Sequence, residues 1–196
     1  GTDGANNTLL VSDGGYLMVG YTDAYGHGKN DVQIIKTDPY GSKEWSRVYG
    51  GKKDDYGWAV TESFDNGFVI AGETFSFGRG QNDIYVIKLD SLGNKIWDNS
   101  FGGLAQEVGY AISIHDDGGY LIAGQTKSYG KGSSDGIILK INSQGQKEWE
   151  KHYGGKGLDY FNSILKDDKN NYLITGSSRS FTEGGSQAWI VNIDTD

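Results

Sequence analysis

The sequence predicts an all-β protein of four repeated antiparallel sheets. Three observations carry this prediction: a 52-residue repeat, strand-sized apolar segments, and turn residues between them. Tyr16, Phe68, Tyr120 and Tyr172 open the equivalent phrases YLMVGYT, FVIAGET, YLIAGQT and YLITGSS, with no insertion or deletion between them. We therefore predict one domain, 1–196, with repeats at about 1–52, 53–104, 105–156 and 157–196.

One repeat, 53–104, shows the predicted elements in order. Segments 56–63, 68–75, 83–90 and 95–101 have strand length and are rich in β-branched and aromatic residues. FDNG joins the first pair and SLGN the last pair, each with a Gly where a hairpin turn needs positive φ. No window combines helical periodicity with capping residues, so each repeat is a four-stranded meander of strands A to D.

Strand C indicates how the sheets are arranged. In the second repeat Ile84 and Val86 alternate with Tyr85 and Ile87, so the strand is apolar on both sides and should be covered on both faces. A radial stack of twisted sheets covers strands in this way. The sequence therefore predicts a four-bladed β-propeller with four-stranded antiparallel blades.

Composition excludes several classes of function. The chain has 32 glycines, one proline and a net charge of −8, which suits tight turns and opposes a nucleic-acid surface. It has no cysteine, so disulfides and thiolate metal sites are excluded. No apolar run is long enough to predict a membrane span, and we expect no membrane insertion.

The repeat also resembles a known group of sequences. The segment DGGYLIAGQTKSYGKGSSDGIILKINSQGQKEWEKHYGG (117–155) is similar to propeller repeats of secreted and cell-surface proteins of bacteria and archaea. In its strand plan it is also similar to the WD-repeat class. The resemblance covers essentially the whole chain. It implies an extracellular or cell-surface location, and a scaffold or binding role rather than one particular activity.

The fourth repeat stops in the phase of strand C, so we expect the last blade to lack its outer strand D. Its exposed edge would be a template for pairing with another chain. The predicted self-association edge consists of Ala188, Trp189, Ile190, Val191, Asn192, Ile193 and Asp194. Three alternatives stay open: residues beyond 196 supply the strand, the chain is part of a larger propeller, or the edge is short and solvated.

Aromatic residues are the candidate ligand-binding groups. Tyr25, Phe77, Tyr129 and Phe181 recur in the B–C loops, on the same predicted face as the D–A connections. They could stack on sugars, although packing between adjacent blades is the favoured interpretation. Trp58 breaks the repeat, and a residue that breaks a repeat is a better functional candidate than one that obeys it.

Two sets of equivalent acidic residues could form rings. Asp31, Asp83 and Asp135 begin strand C, with Gln187 in the fourth repeat; Asp3, Asp55, Glu107 and Asp159 begin strand A. We favour a structural role, with the carboxylates accepting hydrogen bonds from loop backbone. Calcium is left open, but no EF-hand-like loop is present, and no metal site or cofactor is predicted. The three histidines show no ligand spacing, and there is no GxSxG motif.

These observations favour a non-catalytic extracellular structural or interaction module that associates with copies of itself, as a filament or other surface assembly, or with a cell-surface protein or glycan. A lectin-like propeller with sugar sites at the four loop aromatics is the first alternative. A propeller glycosidase is the second, and it would need two carboxylates at a concave central site. No catalytic residue is predicted.

Overall fold

The computed structural model describes residues 1–168, 171–181 and 184–193, and these form fifteen strands. The first eight strands are β1 (Asp3–Leu10), β2 (Tyr16–Thr22), β3 (Asp31–Thr37), β4 (Lys43–Tyr49), β5 (Asp55–Glu62), β6 (Phe68–Thr74), β7 (Asp83–Leu89) and β8 (Lys95–Phe101). The remaining strands are β9 (Glu107–Ile114), β10 (Tyr120–Thr126), β11 (Asp135–Ile141), β12 (Lys147–Tyr153), β13 (Asp159–Lys166), β14 (Tyr172–Ser178) and β15 (Gln187–Ile193). Across these described ranges, nothing forms a helix long and apolar enough to cross a membrane.

The strands form four separate antiparallel sheets, one for each repeat. Sheets 1 to 3 have four strands in chain order, β1–β4, β5–β8 and β9–β12, and sheet 4 has the three strands β13–β15. None of the sheets closes into a barrel. The predicted meanders are confirmed, with strand bounds within a residue or two of those expected. One turn differs: in FDNG the residue with positive φ is Asn66 (φ 60°), not the following glycine. Asparagine tolerates this conformation because its short polar side chain bonds locally.

A bulge in each first strand explains one repeated glycine. The pairing of β5 with β6 shifts between Gly57 and Ala59, opposite Gly72, and the other three sheets have the same irregularity. A Cβ on Gly72 would overlap the carbonyl oxygen of Tyr56. Only glycine permits this close approach of two backbones, so the B strand keeps it in every repeat.

The four sheets stack in chain order. We call the side of a sheet that turns toward the preceding sheet its rear face, and the opposite side its forward face. The forward face of sheet 1, with Val19 and Ile34, packs against Ile70 and Ile87 on the rear face of sheet 2. Equivalent apolar layers join sheets 2 and 3 and sheets 3 and 4. Every residue of β7 and β11 is buried, which confirms the expectation of strands covered on both faces.

The two outermost faces of the stack are exposed. Leu10 is 65% exposed and Tyr16 41% exposed on the rear face of sheet 1, while Leu165 and Ile190 are 63% and 62% exposed on the forward face of sheet 4. A closed four-bladed ring would bury these two faces against each other. The repeat pattern predicts the sheets and their contacts, but closure depends on the angle between neighbouring sheets, which a periodic pattern does not specify.

Candidate functional site

The loop aromatics lie at the surface. Tyr25, Phe77, Tyr129 and Phe181 are 69%, 42%, 40% and 59% exposed. The favoured expectation, burial between adjacent sheets, is therefore wrong for these side chains. Each ring beyond the first packs beside a ring of its own sheet, with centroid distances of 5.5 Å from Phe77 to Tyr85, 5.1 Å from Tyr129 to His152 and 5.9 Å from Phe181 to Trp189. Part of each ring thus remains exposed to solvent.

Tyr129 forms one wall of a shallow surface depression. This depression has a volume of about 430 Å³ and is lined by Gly103, Leu104, Ala105, Lys127, Ser128 and Tyr129. Ser128 Oγ accepts a hydrogen bond from the backbone N–H of Ala105 at 2.8 Å, which joins the B–C loop of sheet 3 to the connection from sheet 2. An aromatic ring beside loop backbone and an ammonium group is a surface that suits a neutral, hydroxyl-rich ligand.

The aromatic ring and the serine contact recur at two further sheet junctions. The first lies at Phe77 and Ser76, where Ser76 Oγ accepts a hydrogen bond from Lys53 N at 2.9 Å. The second lies at Phe181 and Ser180, where Ser180 Oγ accepts one from Gly157 N at 2.8 Å. Tyr25 has no preceding sheet beside it in the described structure and is the most exposed of the four rings. The structure thus places three of the four predicted aromatics in equivalent junction sites.

Trp58 belongs to a different group of aromatics. Its indole Nε1–H donates to Glu73 Oε1 at 3.1 Å, and its ring lies 6.1 Å from Tyr56 and 6.0 Å from Tyr110. Tyr21, on β2, and Tyr160, on β13, extend this row at its two ends. We call the five rings the inner aromatic row. The repeat pattern does not reveal most of the row, because its members occupy three repeat positions and none of these positions is aromatic in all four repeats.

Burial shapes the ionisation of the inner aromatic row. Burial raises the pKa of Glu73, although the indole N–H of Trp58 and the Asn82 amide donate to its carboxylate. Burial also raises the pKa of Tyr110 to about 12, and the charge of Glu73 adds to that shift. The half-buried rings and the single carboxylate can present an aromatic surface with one hydrogen-bond acceptor.

The strand C aspartates have the structural role expected of them. Asp83 Oδ2 accepts hydrogen bonds from the backbone N–H groups of Arg79 at 2.9 Å and Gly80 at 3.2 Å. Asp31 and Asp135 accept equivalent bonds in their own loops. These bonds fix the B–C loop against the start of strand C, which confirms the prediction that the carboxylates cap loop backbone.

The two predicted acidic rings come together as carboxylate pairs at the sheet junctions. A Cβ on Gly50 would touch Asp31 Oδ1 and lie 2.8 Å from Asp55 Oδ2, so the two carboxylates flank this glycine. Two further pairs flank Gly102 and Gly154, namely Asp83 with Glu107 and Asp135 with Asp159. All six carboxylates are at most 2% exposed. Within 1–168, 171–181 and 184–193, no group of three His, Asp or Glu side chains is placed to hold a metal ion.

Buried lysines anchor the other end of each four-stranded sheet. Lys88 Nζ lies 2.8 Å from Asp65 Oδ1 and also donates to Ser63 and to the carbonyl of Leu89. Burial by itself would raise the pKa of Asp65, but hydrogen bonds from Lys88, Ser63 and Gly67 outweigh burial and lower that pKa to about 2. Lys36 and Lys140 make equivalent ion pairs in sheets 1 and 3.

Two isosteric substitutions are expected to change stability in opposite directions at pH 7. Asp83→Asn should raise the free energy of unfolding by about 1 kcal/mol. Burial, together with the charge of Glu107, raises the pKa of Asp83, so the ionised carboxylate is unfavourable in the folded state, and the neutral amide removes that charge. Asp65→Asn should lower the free energy of unfolding, because the buried Lys88 loses its charged partner. The loss should be at most about 1 kcal/mol, because the Asp65 carboxylate is largely exposed to solvent. Urea unfolding curves measure both changes.

The pH dependence provides the control. The pKa of Asp83 is higher in the folded than in the unfolded state, so ionised Asp83 destabilises the fold at high pH. This destabilisation disappears as the pH falls toward the unfolded-state pKa of about 4. Asp65 has a lowered folded pKa of about 2, so its contribution exists above pH 4 and is lost between about pH 4 and 2. Both variants should therefore approach the parent protein in acid. A loss of stability in Asp83→Asn at pH 7 would contradict this account.

The predicted self-association edge lies on β15. Ala188, Ile190 and Asn192 are exposed on the forward face, whereas Trp189, Val191 and Ile193 pack toward sheet 3. The Trp189 ring stacks on Phe161 with centroids 4.8 Å apart. Asp194, the last residue of the predicted edge, lies outside the described residues. Half of the predicted edge therefore holds sheet 4 on sheet 3, and the other half is accessible.

Comparisons with known proteins assign no family to this chain. No family model matches it. The regulatory protein FlaEY of Caulobacter vibrioides is 22% identical over 120 residues, which is 55% of this chain and 12% of that protein. The crystal structure of a eukaryotic initiation factor aligns with this chain at a TM-score of 0.41 and 9% identity, and the alignment covers 95% of this chain and 52% of the initiation factor chain. The tail fiber of Staphylococcus aureus phage P68 has a TM-score of 0.32 at 10% identity, over 97% and 49%. Likeness at this level carries no argument about function.

Proposed function

We propose that this chain is a non-catalytic extracellular module of β-propeller type that serves a structural or binding role and associates with copies of itself. One observation carries the proposal. In sheets 1 to 3 strand C is paired on both sides, but β15 is paired with β14 alone among the described strands. Its unpaired backbone groups form a ready template for another strand.

The packing of the sheets supports the propeller part of the proposal. The first strands of successive sheets lie side by side, β1 with β5, β5 with β9, and β9 with β13. The outer strands reach the next sheet through side chains, as Asn99 Nδ2 does when it donates to the carbonyl of Gly145 at 3.1 Å. Sheets that share an inner line of first strands and spread outward are typical of propeller blades. The extracellular location rests on the resemblance of the repeat to surface propellers.

Strand addition at β15 can be tested with a peptide of known sequence. The peptide KEWEKHY reproduces β12, the strand that covers the equivalent edge of β11. We expect saturable binding of the labelled peptide, measured by fluorescence anisotropy, and reduced self-association in light scattering. The matched control is the same peptide with alternate backbone N-methyl groups, which removes hydrogen-bond donors. Equal binding of both peptides, or of neither, would refute strand addition.

The buried carboxylate pairs bear on the glycosidase alternative. They lie closed within the sheet junctions, where loop N–H and hydroxyl groups bond to carboxylate oxygens, as Ser76 does with Asp55 at 2.7 Å. The arrangement supports a structural use of these residues, and we propose no catalytic role for them.

Glycan binding is a second candidate function, because the loop aromatics are exposed in repeated sites. We expect the triple variant Phe77→Ala, Tyr129→Ala, Phe181→Ala to weaken binding of neutral oligosaccharides on a glycan array by about tenfold, since the stacking contact at each site contributes about 1 kcal/mol or more. Tyr40→Ala, at a ring 93% exposed on a hairpin outside the sites, is the control and should bind like the parent. An array without any bound glycan would remove this candidate.

A further inference from the structure

Each of the two exposed end faces of the stack carries a cluster of apolar side chains. Leu10, Tyr16, Met18 and Ile35 lie on the rear face of sheet 1, and Leu165, Leu173 and Ile190 lie on the forward face of sheet 4. Uncharged polar side chains lie beside them, among them Gln33 on the rear face and Thr175 and Asn192 on the forward face, and Asp3 lies at one end of the rear face. Concentrated apolar surface of this kind marks an interaction site.

The repeat relates each end face to an interface that already exists in the molecule. Ile190 is equivalent to Ile34, which packs against Ile70 and Ile87 of sheet 2. In sheet 1 the residues equivalent to Ile70 and Ile87 are Met18 and Ile35. These two residues, with Ala5 and Gln33, line an open depression of about 300 Å³ on the rear face of sheet 1. If sheet 4 of another copy packed on this face as the inner sheets pack on each other, its Ile190 would lie in that depression.

Side-chain volumes at the centre of the interfaces are compatible with this contact. At each inner junction one large residue meets one glycine. Val32 meets Gly57 and Ile84 meets Gly109, with the large residue on the preceding sheet; at the third junction Gly136 is on the preceding sheet and Phe161 on the following one. At the corresponding position the end faces carry two alanines, Ala188 and Ala5. Two alanines avoid both the clash of two large residues and the cavity left by two glycines.

The polar rim of the interface also continues at the ends. At each inner junction, a backbone N–H at the start of strand A donates to the carbonyl before strand C of the preceding sheet, as Asp55 N does to Asn30 O at 2.7 Å. The equivalent groups at the ends are Asp3 N and Ser186 O. The fourth repeat also replaces the strand C aspartate with Gln187, so a sheet 4 docked on sheet 1 would place an amide, not a second carboxylate, beside Asp3.

We propose that a second copy of this chain docks its sheet 4 forward face on the sheet 1 rear face, in a head-to-tail contact that repeats the interfaces inside the molecule. The proposal rests on the proposed function, self-association, and gives it a contact surface other than the backbone edge of β15. The contact uses two different patches, so it is heterologous. It closes into a ring if the rotation between copies permits and otherwise extends into a filament.

Single-face variants test the proposal. Sedimentation velocity of the parent chain should show reversible association with rising concentration. Met18→Asp disables the rear face, and Ile190→Asp disables the forward face. Each variant should weaken association at least about tenfold, because a charge would be buried in an apolar contact. Ile96→Asp, at a residue 56% exposed on the outer strand of sheet 2, is the matched control and should associate like the parent.

Mixing the two variants gives the distinguishing result. Met18→Asp keeps its forward face and Ile190→Asp keeps its rear face, so an equimolar mixture should form one-to-one dimers and nothing larger. Circular dichroism checks the fold, and Leu10→Asp, at a residue 65% exposed, replaces Met18→Asp if that variant unfolds. If Ile190→Asp abolishes association while Met18→Asp and Leu10→Asp both retain it, face docking is overturned but strand addition at β15 is not. A parent chain that stays monomeric at high concentration would overturn both.

Discussion

Gly124→Ala is expected to lower the free energy of unfolding by about 3 kcal/mol or more, one of the two largest effects that the structure predicts. An added Cβ would overlap the carbonyl oxygen of Val108 and lie 2.9 Å from the carbonyl carbon and 3.1 Å from Gly109 Cα. All three atoms belong to the backbone, so no side-chain rotation can relieve the overlap. The bulge in β9 would have to shift, and with it the junction with sheet 2.

Gly118→Ala is the matched control for this substitution. Gly118 has a φ of +82°, and an added Cβ would meet only Phe64 Cδ2, at 3.9 Å. The cost should therefore be that of backbone conformation alone, about 1 kcal/mol. Urea denaturation of both variants gives the comparison. Equal losses in the two variants would mean that the close approach of β9 and β10 does not account for the repeated glycine.

The second large effect concerns the pair Phe161 and Gly136, which joins sheet 4 to sheet 3. Phe161 is fully buried and stacks on Trp189. Phe161→Gly should cost about 4 kcal/mol, because a buried ring is lost and a cavity remains. Gly136→Val should cost about 2 kcal/mol, because its Cβ would lie 2.6 Å from Phe161 Cε2 and the stacked ring has little room to move.

Combining the two substitutions recreates the size pairing of Val32 with Gly57 at the junction of sheets 1 and 2. The double variant should therefore be more stable than the sum of the single losses predicts, by about 2 kcal/mol. Denaturant unfolding of the four proteins completes the double-mutant cycle. Simple additivity would show that the inner junctions are not interchangeable, and it would weaken the case for docking of a second copy.

Much of the fold follows from the sequence because periodicity and turn residues are local. The alternation in β7 predicts cover on both faces, and the spacing of Tyr16, Phe68, Tyr120 and Tyr172 predicts four equivalent sheets. Ring closure is not local, since small differences in the angle between sheets accumulate along the stack. The exposed faces that carry Tyr16 and Ile190 could therefore be found only in the structure.

The candidate sites were predicted less completely. The spacing of Tyr129 identifies a repeated position. The exposure of its ring depends on Gly103, which has no side chain and lies close to the ring, and on the stacking with His152. The pairing of Asp31 with Asp55 brings together two sequence positions that look independent in one repeat. The partners meet only across a sheet junction, a contact that the spacing within a single repeat does not reveal.

The central claim is that the end sheets are the interaction surfaces of this protein. Amide hydrogen exchange at low and high protein concentration tests it most directly. Exchange in β2 and β15 should slow by about tenfold as concentration rises, because association protects local opening of the end sheets, while exchange in the buried strands β7 and β11 stays unchanged. Exchange in β2 and β15 that is independent of concentration would contradict the account.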